Sequence, residues 1–247
     1  LYVFDRATGD PVWPIDERPV EKGDVPGEWY SATQPFPTRP PAYDRNGVSV
    51  DDLIDFTPEL RAEALKVVSR YKVGPIFTPP VVSKLEGPLA TLTMGTSAGG
   101  TNWPGGSYDP ETHILYVSSQ SQITALGLVP PPAGFSDMRF VQGLATTGAR
   151  LTGGSGSTAG AEAAPAAPTA VATVSAAAAN SSALDVRGLP LVKPPYGRIT
   201  AIDLNKGEIV WQIAHGETPD NIRDNPALKG LNIPRTGRTG SVGTLVT

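Results

Sequence analysis

The sequence contains no cysteine, only two histidines and no long apolar run. The absence of cysteine excludes disulfides and thiolate metal sites, but it does not indicate a cellular compartment. No apolar stretch approaches the roughly 18 residues that a membrane-spanning helix needs. The net charge of −4 is spread along the chain, whereas a nucleic-acid surface needs a basic patch. We therefore expect no nucleic-acid partner, and any membrane association would require a segment outside this chain.

Glycine and proline, by contrast, are abundant, with 27 and 26 residues among 247. Helix-breaking residues at this density favour strands and long loops over a helical bundle. The chain begins at Leu1 and ends at Thr247 within strand-like residues, without an initiator methionine or a signal peptide. These features predict an all-β repeat protein, and we expect the chain to be a fragment of a longer one.

The strongest pattern is a repeat of an aspartate, a glycine and a tryptophan at fixed spacing. The two copies are Val3-x-Asp5-x3-Gly9-x3-Trp13 and Ala201-x-Asp203-x3-Gly207-x3-Trp211. By chance, one Asp-x3-Gly-x3-Trp match is expected about 0.025 times in a chain of this composition, so two matches indicate a repeat architecture.

Each residue type in this pattern has a physical role. The aspartate ends a strand and can accept hydrogen bonds from the turn backbone, and the glycine accepts the positive φ that the turn needs. The tryptophan on the next strand can pack flat between two sheets. The pattern therefore predicts hairpins in which Asp5 and Asp203 form turns and are not catalytic bases.

A degraded third copy reads Ser107-x-Asp109-x3-His113-x3-Val117, with histidine at the glycine position. We expect His113 to be a solvent-facing turn residue. The other histidine, His215, follows a strand and has no partner in the sequence. Serine and histidine form no credible triad here, and the glycine-rich segments lack the strand-then-helix context of a nucleotide-binding loop.

Residues 14–75 are a proline-rich excursion. Residues 14–50 predict an extended loop on the domain surface, anchored by aromatic side chains, namely Trp29, Tyr30, Phe36 and Tyr43. Residues 57–71 predict an inserted helix, with Thr57 as N-cap and Pro58 in its first turn, ended by Gly74-Pro75. Residues 152–184 are of low complexity and predict a flexible insertion without a catalytic role.

The repeat resembles the tryptophan-docking motif of the PQQ-dependent dehydrogenases (PQQ, pyrroloquinoline quinone). Longer runs are similar to the membrane-type glucose, quinate and shikimate dehydrogenase branch of that family, and the similarity covers nearly everything except residues 150–187. These runs are Leu1-Tyr2-Val3-Phe4-Asp5-Arg6-Ala7-Thr8-Gly9, Asp24-Val25-Pro26-Gly27-Glu28, Gln34-Pro35-Phe36-Pro37, Asp55-Phe56-Thr57-Pro58-Glu59-Leu60 and Asn225-Pro226-Ala227-Leu228-Lys229-Gly230.

The resemblance implies an eight-bladed β-propeller, of which this chain would form about three blades. It implies oxidation of a sugar, polyol or other alcohol by hydride transfer to PQQ, usually with Ca²⁺ in the site. Electrons would pass to ubiquinone or a cytochrome, and the full-length protein would be periplasmic, with any membrane anchor outside this chain.

The resemblance also assigns cofactor contacts within Gly99-Gly100-Thr101-Asn102-Trp103. Asn102 would hydrogen-bond the polar edge of PQQ, because its amide offers both a donor and an acceptor. Trp103 would line the same pocket. The family's proton-accepting aspartate and Ca²⁺ ligands are expected upstream of this chain, as is a basic residue just before Leu1, so no catalytic residue and no metal ligand is assigned here. We expect the isolated fragment to be inactive.

Two other readings of the sequence remain open. A non-catalytic scaffold propeller could use the same docking motif for protein contacts, although it would not need a polar cofactor pocket. A sugar-cleaving propeller would need paired carboxylates at an open face, and the sequence shows no such pair.

Overall fold

The computed structural model describes residues 1–95, 99–145, 184–240 and 242–247. These residues form mainly short strands, with one long helix and one short helix. In chain order the elements are β1 Ile15–Pro19, β2 Thr33–Pro37, β3 Gly47–Val48, α1 Pro58–Val68, β4 Gly74–Pro75, β5 Val81–Val82, β6 Thr91–Met94, β7 Gly106–Asp109, β8 Ile114–Gln120, β9 Ile123–Val129, β10 Val141–Gln142, β11 Asp185–Val186, β12 Leu189–Pro190, β13 Gly197–Asp203, β14 Glu208–Ala214 and α2 Asp220–Arg223. No helix in the described part of the chain is long and apolar enough to cross a membrane.

One sheet has the form of a complete propeller blade. Its four antiparallel strands lie in the order β14-β13-β8-β7. Tight turns join β7 to β8 and β13 to β14 at one end of the sheet, which we call the turn end. The long connection from β8 to β13 leaves from the other end, which we call the loop end. The described residues contain this one complete blade, and a second hairpin at residues 1–13 supplies part of a neighbouring one.

The three aspartates of the repeat build the same turn. Asp5, Asp109 and Asp203 each accept a hydrogen bond from the backbone N–H two residues further along, and another from the N–H or hydroxyl three residues further along. The donor three residues along is the main reason that the pKa of each carboxyl lies below its ordinary value. The predicted role of these aspartates as turn formers is confirmed.

The fourth position after each aspartate has a left-handed backbone. The φ angles are +78° at Gly9, +66° at Gly207 and +59° at His113. In each copy the N–H of this residue also donates to the carbonyl of the aspartate, at 2.8 to 2.9 Å. The degraded copy therefore keeps the turn geometry, and His113 is exposed there as predicted.

The tryptophan of the first repeat packs on the glycine turn of the second. A Cβ atom added to Gly207 would lie 2.9 Å from Cζ2 of Trp13, so the indole covers this turn directly. Arg39 completes the contact by donating to the Lys206 carbonyl at 2.9 Å. Trp211 lies opposite Ala201 in the β13–β14 pairing, and its ring is 5.8 Å from that of Tyr116. The predicted docking of one hairpin on the next sheet is thus confirmed for Trp13.

The main hydrophobic core lies outside the blade. Helix α1 begins with the predicted cap, because Thr57 Oγ1 accepts the Leu60 N–H at 3.2 Å. Its inner face, with Leu60 and Ala64 fully buried, packs with residues of β6, β9 and the segment after residue 183. The helix ends at Val68, before the predicted position, and Gly74-Pro75 instead forms the short strand β4.

Residues 14–50 differ from the predicted loop. They contain the antiparallel ribbon β1–β2, with Ile15 opposite Pro37 and Pro19 opposite Thr33. The aromatic residues do not all serve as anchors, because the Trp29 side chain is 84% exposed. Apart from the buried Leu184, the low-complexity insertion predicted at 152–184 lies outside the described residues.

Candidate functional site

The glycine-rich segment that precedes β7 lies at the loop end of the blade. The Gly100 carbonyl accepts the N–H of Gln120, the last residue of β8, at 2.9 Å. Thr101 Oγ1 donates to the Ser118 carbonyl, also at 2.9 Å. These two bonds fix the segment beside the end of β8, opposite the aspartate turns.

Asn102 and Trp103 form an exposed turn next to these anchors. The Asn102 carbonyl accepts the Gly105 N–H at 2.9 Å, and Asn102 Oδ1 accepts the Trp103 N–H at 2.7 Å. Both side chains are exposed, and that of Trp103 is 97% exposed. The turn therefore presents the two predicted cofactor contacts to solvent at the loop end. Their role in binding a cofactor stays a prediction.

A cleft of about 510 Å³ opens beside this turn. Its volume is typical of small-molecule sites. One wall is Gly99, Gly100 and Thr101, and the facing walls come from the first residues of the chain and from the proline-rich excursion. The other lining residues are Leu1, Tyr2, Arg18, Phe36, Pro37, Pro40, Ala42, Tyr43, Asp44, Asn46 and Ile76. The cleft thus joins the candidate loop to Leu1, next to which the resemblance places a basic cofactor contact.

Arg18 supplies positive charge on the wall of this cleft. Its guanidinium carbon lies 5.2 Å above the Phe36 ring, and its NH2 is 2.9 Å from Asp16 Oδ2. Strand pairing places Arg18 and Phe36 on the two arms of the β1–β2 ribbon. The ribbon therefore places an ion-paired guanidinium, stacked on an aromatic ring, in the wall of the cleft.

A buried ion pair includes Asp44, which lines the cleft. The NH2 of Arg198 on β13 is 2.9 Å from Asp44 Oδ1, and the two side chains are only 8% and 10% exposed. Burial raises the pKa of Asp44, although Arg198 and the Arg45 N–H oppose that shift. Sequence reasoning did not identify this pair, because 154 residues separate its members and neither lies in the repeat.

Among the residues that the structure describes, the two histidines lie apart from the cleft's charged residues. His113 Nδ1 lies 2.6 Å from the Tyr108 hydroxyl at the turn end, away from the cleft. The backbone N–H of His215 donates to the Gly197 carbonyl. In the described ranges no three histidine, aspartate or glutamate side chains come together as a metal-binding group.

A second and larger cleft, of about 580 Å³, lies beside α2. Its walls include Tyr196, Glu217 and Arg223, and none of the candidate cofactor residues. We regard the cleft at Gly99–Thr101 as the candidate site, because it alone of the two contacts the glycine-rich loop.

The family model of the glucose, ethanol and alcohol dehydrogenase β-propeller domain, which is named for PQQ, matches residues 1–247. The chain belongs to the PQQ-dependent dehydrogenase family. This membership agrees with the blade sheet and with the docking of Trp13 on Gly207. The resemblance drawn from the sequence and the all-β propeller fold are both confirmed.

Curated relatives include a quinate/shikimate dehydrogenase (quinone) of Acinetobacter baylyi, 26% identical over 220 residues, which cover 89% of this chain and 24% of the relative. Quinoprotein glucose dehydrogenase A of Acinetobacter calcoaceticus is 26% identical over 98% of this chain and 28% of its own length. A glycerol dehydrogenase large subunit of Gluconobacter thailandicus is 28% identical over 85% of this chain and 27% of its own length. The chain thus spans about a quarter of the length of these relatives.

Proposed function

We propose that this chain forms part of the cofactor-binding face of a PQQ-dependent dehydrogenase that oxidises a hydroxyl group of a sugar, polyol or other alcohol. The observation that carries the proposal is the cleft between Leu1, the β1–β2 ribbon and Gly99–Thr101. It lies at the loop end of a propeller blade, in a chain that belongs to this family.

The residues of the cleft suit the chemical character of PQQ, a planar quinone that carries carboxylates. Gly99 has no side chain, so a flat ring system can approach its backbone closely. Arg18 can neutralise a carboxylate, and Tyr43 and Phe36 add aromatic surface. The exposed Asn102 amide, next in sequence to the cleft residue Thr101, can both donate to and accept from the polar edge of the cofactor.

When bound, PQQ supplies the two-electron oxidant for the alcohol carbon. The residues of this chain would bind and orient the cofactor: Arg18 and Asn102 would hold its polar groups, and the glycine-rich loop would form one wall against it. The aspartate that accepts the alcohol proton and the Ca²⁺ ligands come from residues outside this chain. Transfer of electrons to ubiquinone or a cytochrome, and a periplasmic location, complete the proposal.

Reconstitution tests this function directly. The full-length protein is stripped of cofactor, supplied with PQQ and Ca²⁺, and assayed for reduction of an electron-accepting dye with glucose, quinate, glycerol and ethanol. We expect PQQ-dependent reduction with at least one of these substrates and none when PQQ is omitted. Failure to bind PQQ, or binding without reduction for every substrate, would instead favour the scaffold propeller.

A further inference from the structure

Gly100 sits directly against the carboxylate of Asp44. A Cβ atom on Gly100 would overlap Asp44 Oδ2 and would also approach the Gln120 carbonyl to 3.0 Å. The backbone of Gly100 does not need a positive φ, so its conformation does not require glycine. The close approach of Asp44 is therefore the physical reason for glycine at this position.

Asp44 cannot move freely away from this contact. Its Oδ1 accepts from Arg198 NH2 at 2.9 Å and from the Arg45 N–H at 2.8 Å. Because both members of the ion pair are about nine-tenths buried, rotating the carboxylate would leave a buried guanidinium without its partner. The ion pair thus fixes the carboxylate at the position where it meets Gly100.

Arg198 is in turn anchored to the blade. It belongs to β13, and its NH1 donates to Gln212 Oε1 on β14 at 3.2 Å. The amide nitrogen of Gln212 donates to Thr200 Oγ1 at 2.8 Å and to the Tyr43 carbonyl at 2.7 Å. Strands β13 and β14 of the blade therefore hold Asp44 through its own side chain and through the backbone of the residue before it.

We propose that the Asp44–Arg198 ion pair positions the cofactor loop. The pair holds Gly100 at a fixed position relative to β13 and β14. It thereby determines where Thr101 and Asn102 lie when a ligand occupies the cleft. The inference rests on the proposed function, since it names PQQ as that ligand. Asp44 and Arg198 act here as positioning residues, and neither needs to take part in the chemistry.

A double-mutant cycle in the full-length protein tests the contact. We expect Gly100→Ala to weaken PQQ binding about tenfold, because the new methyl group displaces the loop. Asp44→Ala should also weaken binding, since the loop loses its support. In the double variant the removed carboxylate leaves room for the methyl group, so binding should be tighter than with Gly100→Ala alone. Titration of the cofactor-free protein with PQQ provides the dissociation constants.

A second measurement needs no cofactor. Hydrogen exchange followed by mass spectrometry reports on the Gln120 and Gly105 amides, which are bonded to the Gly100 and Asn102 carbonyls. We expect Asp44→Asn to speed exchange at these amides and to leave β14 unchanged. Glu63→Gln is the control, because it breaks another ion pair of the excursion, with Arg187, that does not touch the loop.

The outcomes separate the two proposals. If the wild-type protein binds PQQ but the effects of Asp44→Ala and Gly100→Ala on binding simply add, the positioning role is wrong and the proposed function stands. Equal exchange in Asp44→Asn and Glu63→Gln would also overturn it. If the wild-type protein does not bind PQQ while Asp44→Asn still frees the loop, the positioning contact is real and the proposed function fails.

Discussion

The left-handed position of the repeated turn has different surroundings in each of the three copies. His113 adopts a left-handed backbone with a side chain that disfavours it, by about 1 kcal/mol or more, and its bond to Tyr108 offsets part of that cost. Gly9 meets no atom within 4 Å of an added Cβ, whereas Gly207 lies under the Trp13 ring. Glycine is therefore required at position 9 only by the left-handed backbone. At position 207 it is required both by the backbone and by the packing of Trp13.

This difference predicts unequal effects of alanine at the two glycines. Gly9→Ala should destabilise the full-length protein by about 1 kcal/mol, the cost of a left-handed alanine. Gly207→Ala should cost about 1 to 3 kcal/mol more, because its methyl group also clashes with Trp13. Denaturant unfolding measures both values. Equal destabilisation by the two substitutions would contradict close packing of the Trp13 indole on Gly207.

Asn102, which follows the cleft residue Thr101, allows a second test. We expect Asn102→Ala to weaken PQQ binding about fivefold, which corresponds to about 1 kcal/mol for one net hydrogen bond. Asn205→Ala is the matched control, because Asn205 is also an exposed turn asparagine but lies at the turn end. Unchanged affinity in Asn102→Ala would remove this residue from the site.

At the scale of helices and strands, the sequence predicted those elements that depend on residues close together in the chain. The hairpin at Asp203 and the start of α1 at Thr57 follow from turn and capping residues within a few positions of each other. The ribbon β1–β2 was missed, because its strand Ile15–Pro19 is largely exposed and so has no apolar alternation. The Asp44–Arg198 pair could not be predicted, since only the tertiary fold brings its two members together.

Helix α1 of the proline-rich excursion contributes residues to the main hydrophobic core. Its Leu60 is 1% exposed within the main hydrophobic cluster, whereas Leu65 on the same helix is 42% exposed. We expect Leu60→Ala to destabilise the full-length protein by about 3 kcal/mol and Leu65→Ala by less than about 1 kcal/mol. Thermal unfolding of the two variants measures both losses of stability. Similar small losses would mean that the excursion is a surface addition that contributes little to stability.

At the scale of the whole molecule, connectivity explains where the site lies. In this blade the β7–β8 and β13–β14 turns occupy one end of the sheet, and the long connection from β8 to β13 leaves from the other. The aspartate turns take the first end, so the glycine-rich loop and the long connection after β8 are left together at the second. Asp44 of the excursion contacts Gly100 at this second end. The walls of the cleft thus come from the start of the chain, the proline-rich excursion and the glycine-rich loop, and the blade holds that loop in place through the end of β8.

A structure of the full-length protein with PQQ bound tests the central claim most directly. We expect the cofactor ring in the cleft between Leu1, Tyr43 and Gly100, with the Asn102 amide within hydrogen-bond distance of its polar edge. Cofactor bound elsewhere, with only water in this cleft, would contradict the account.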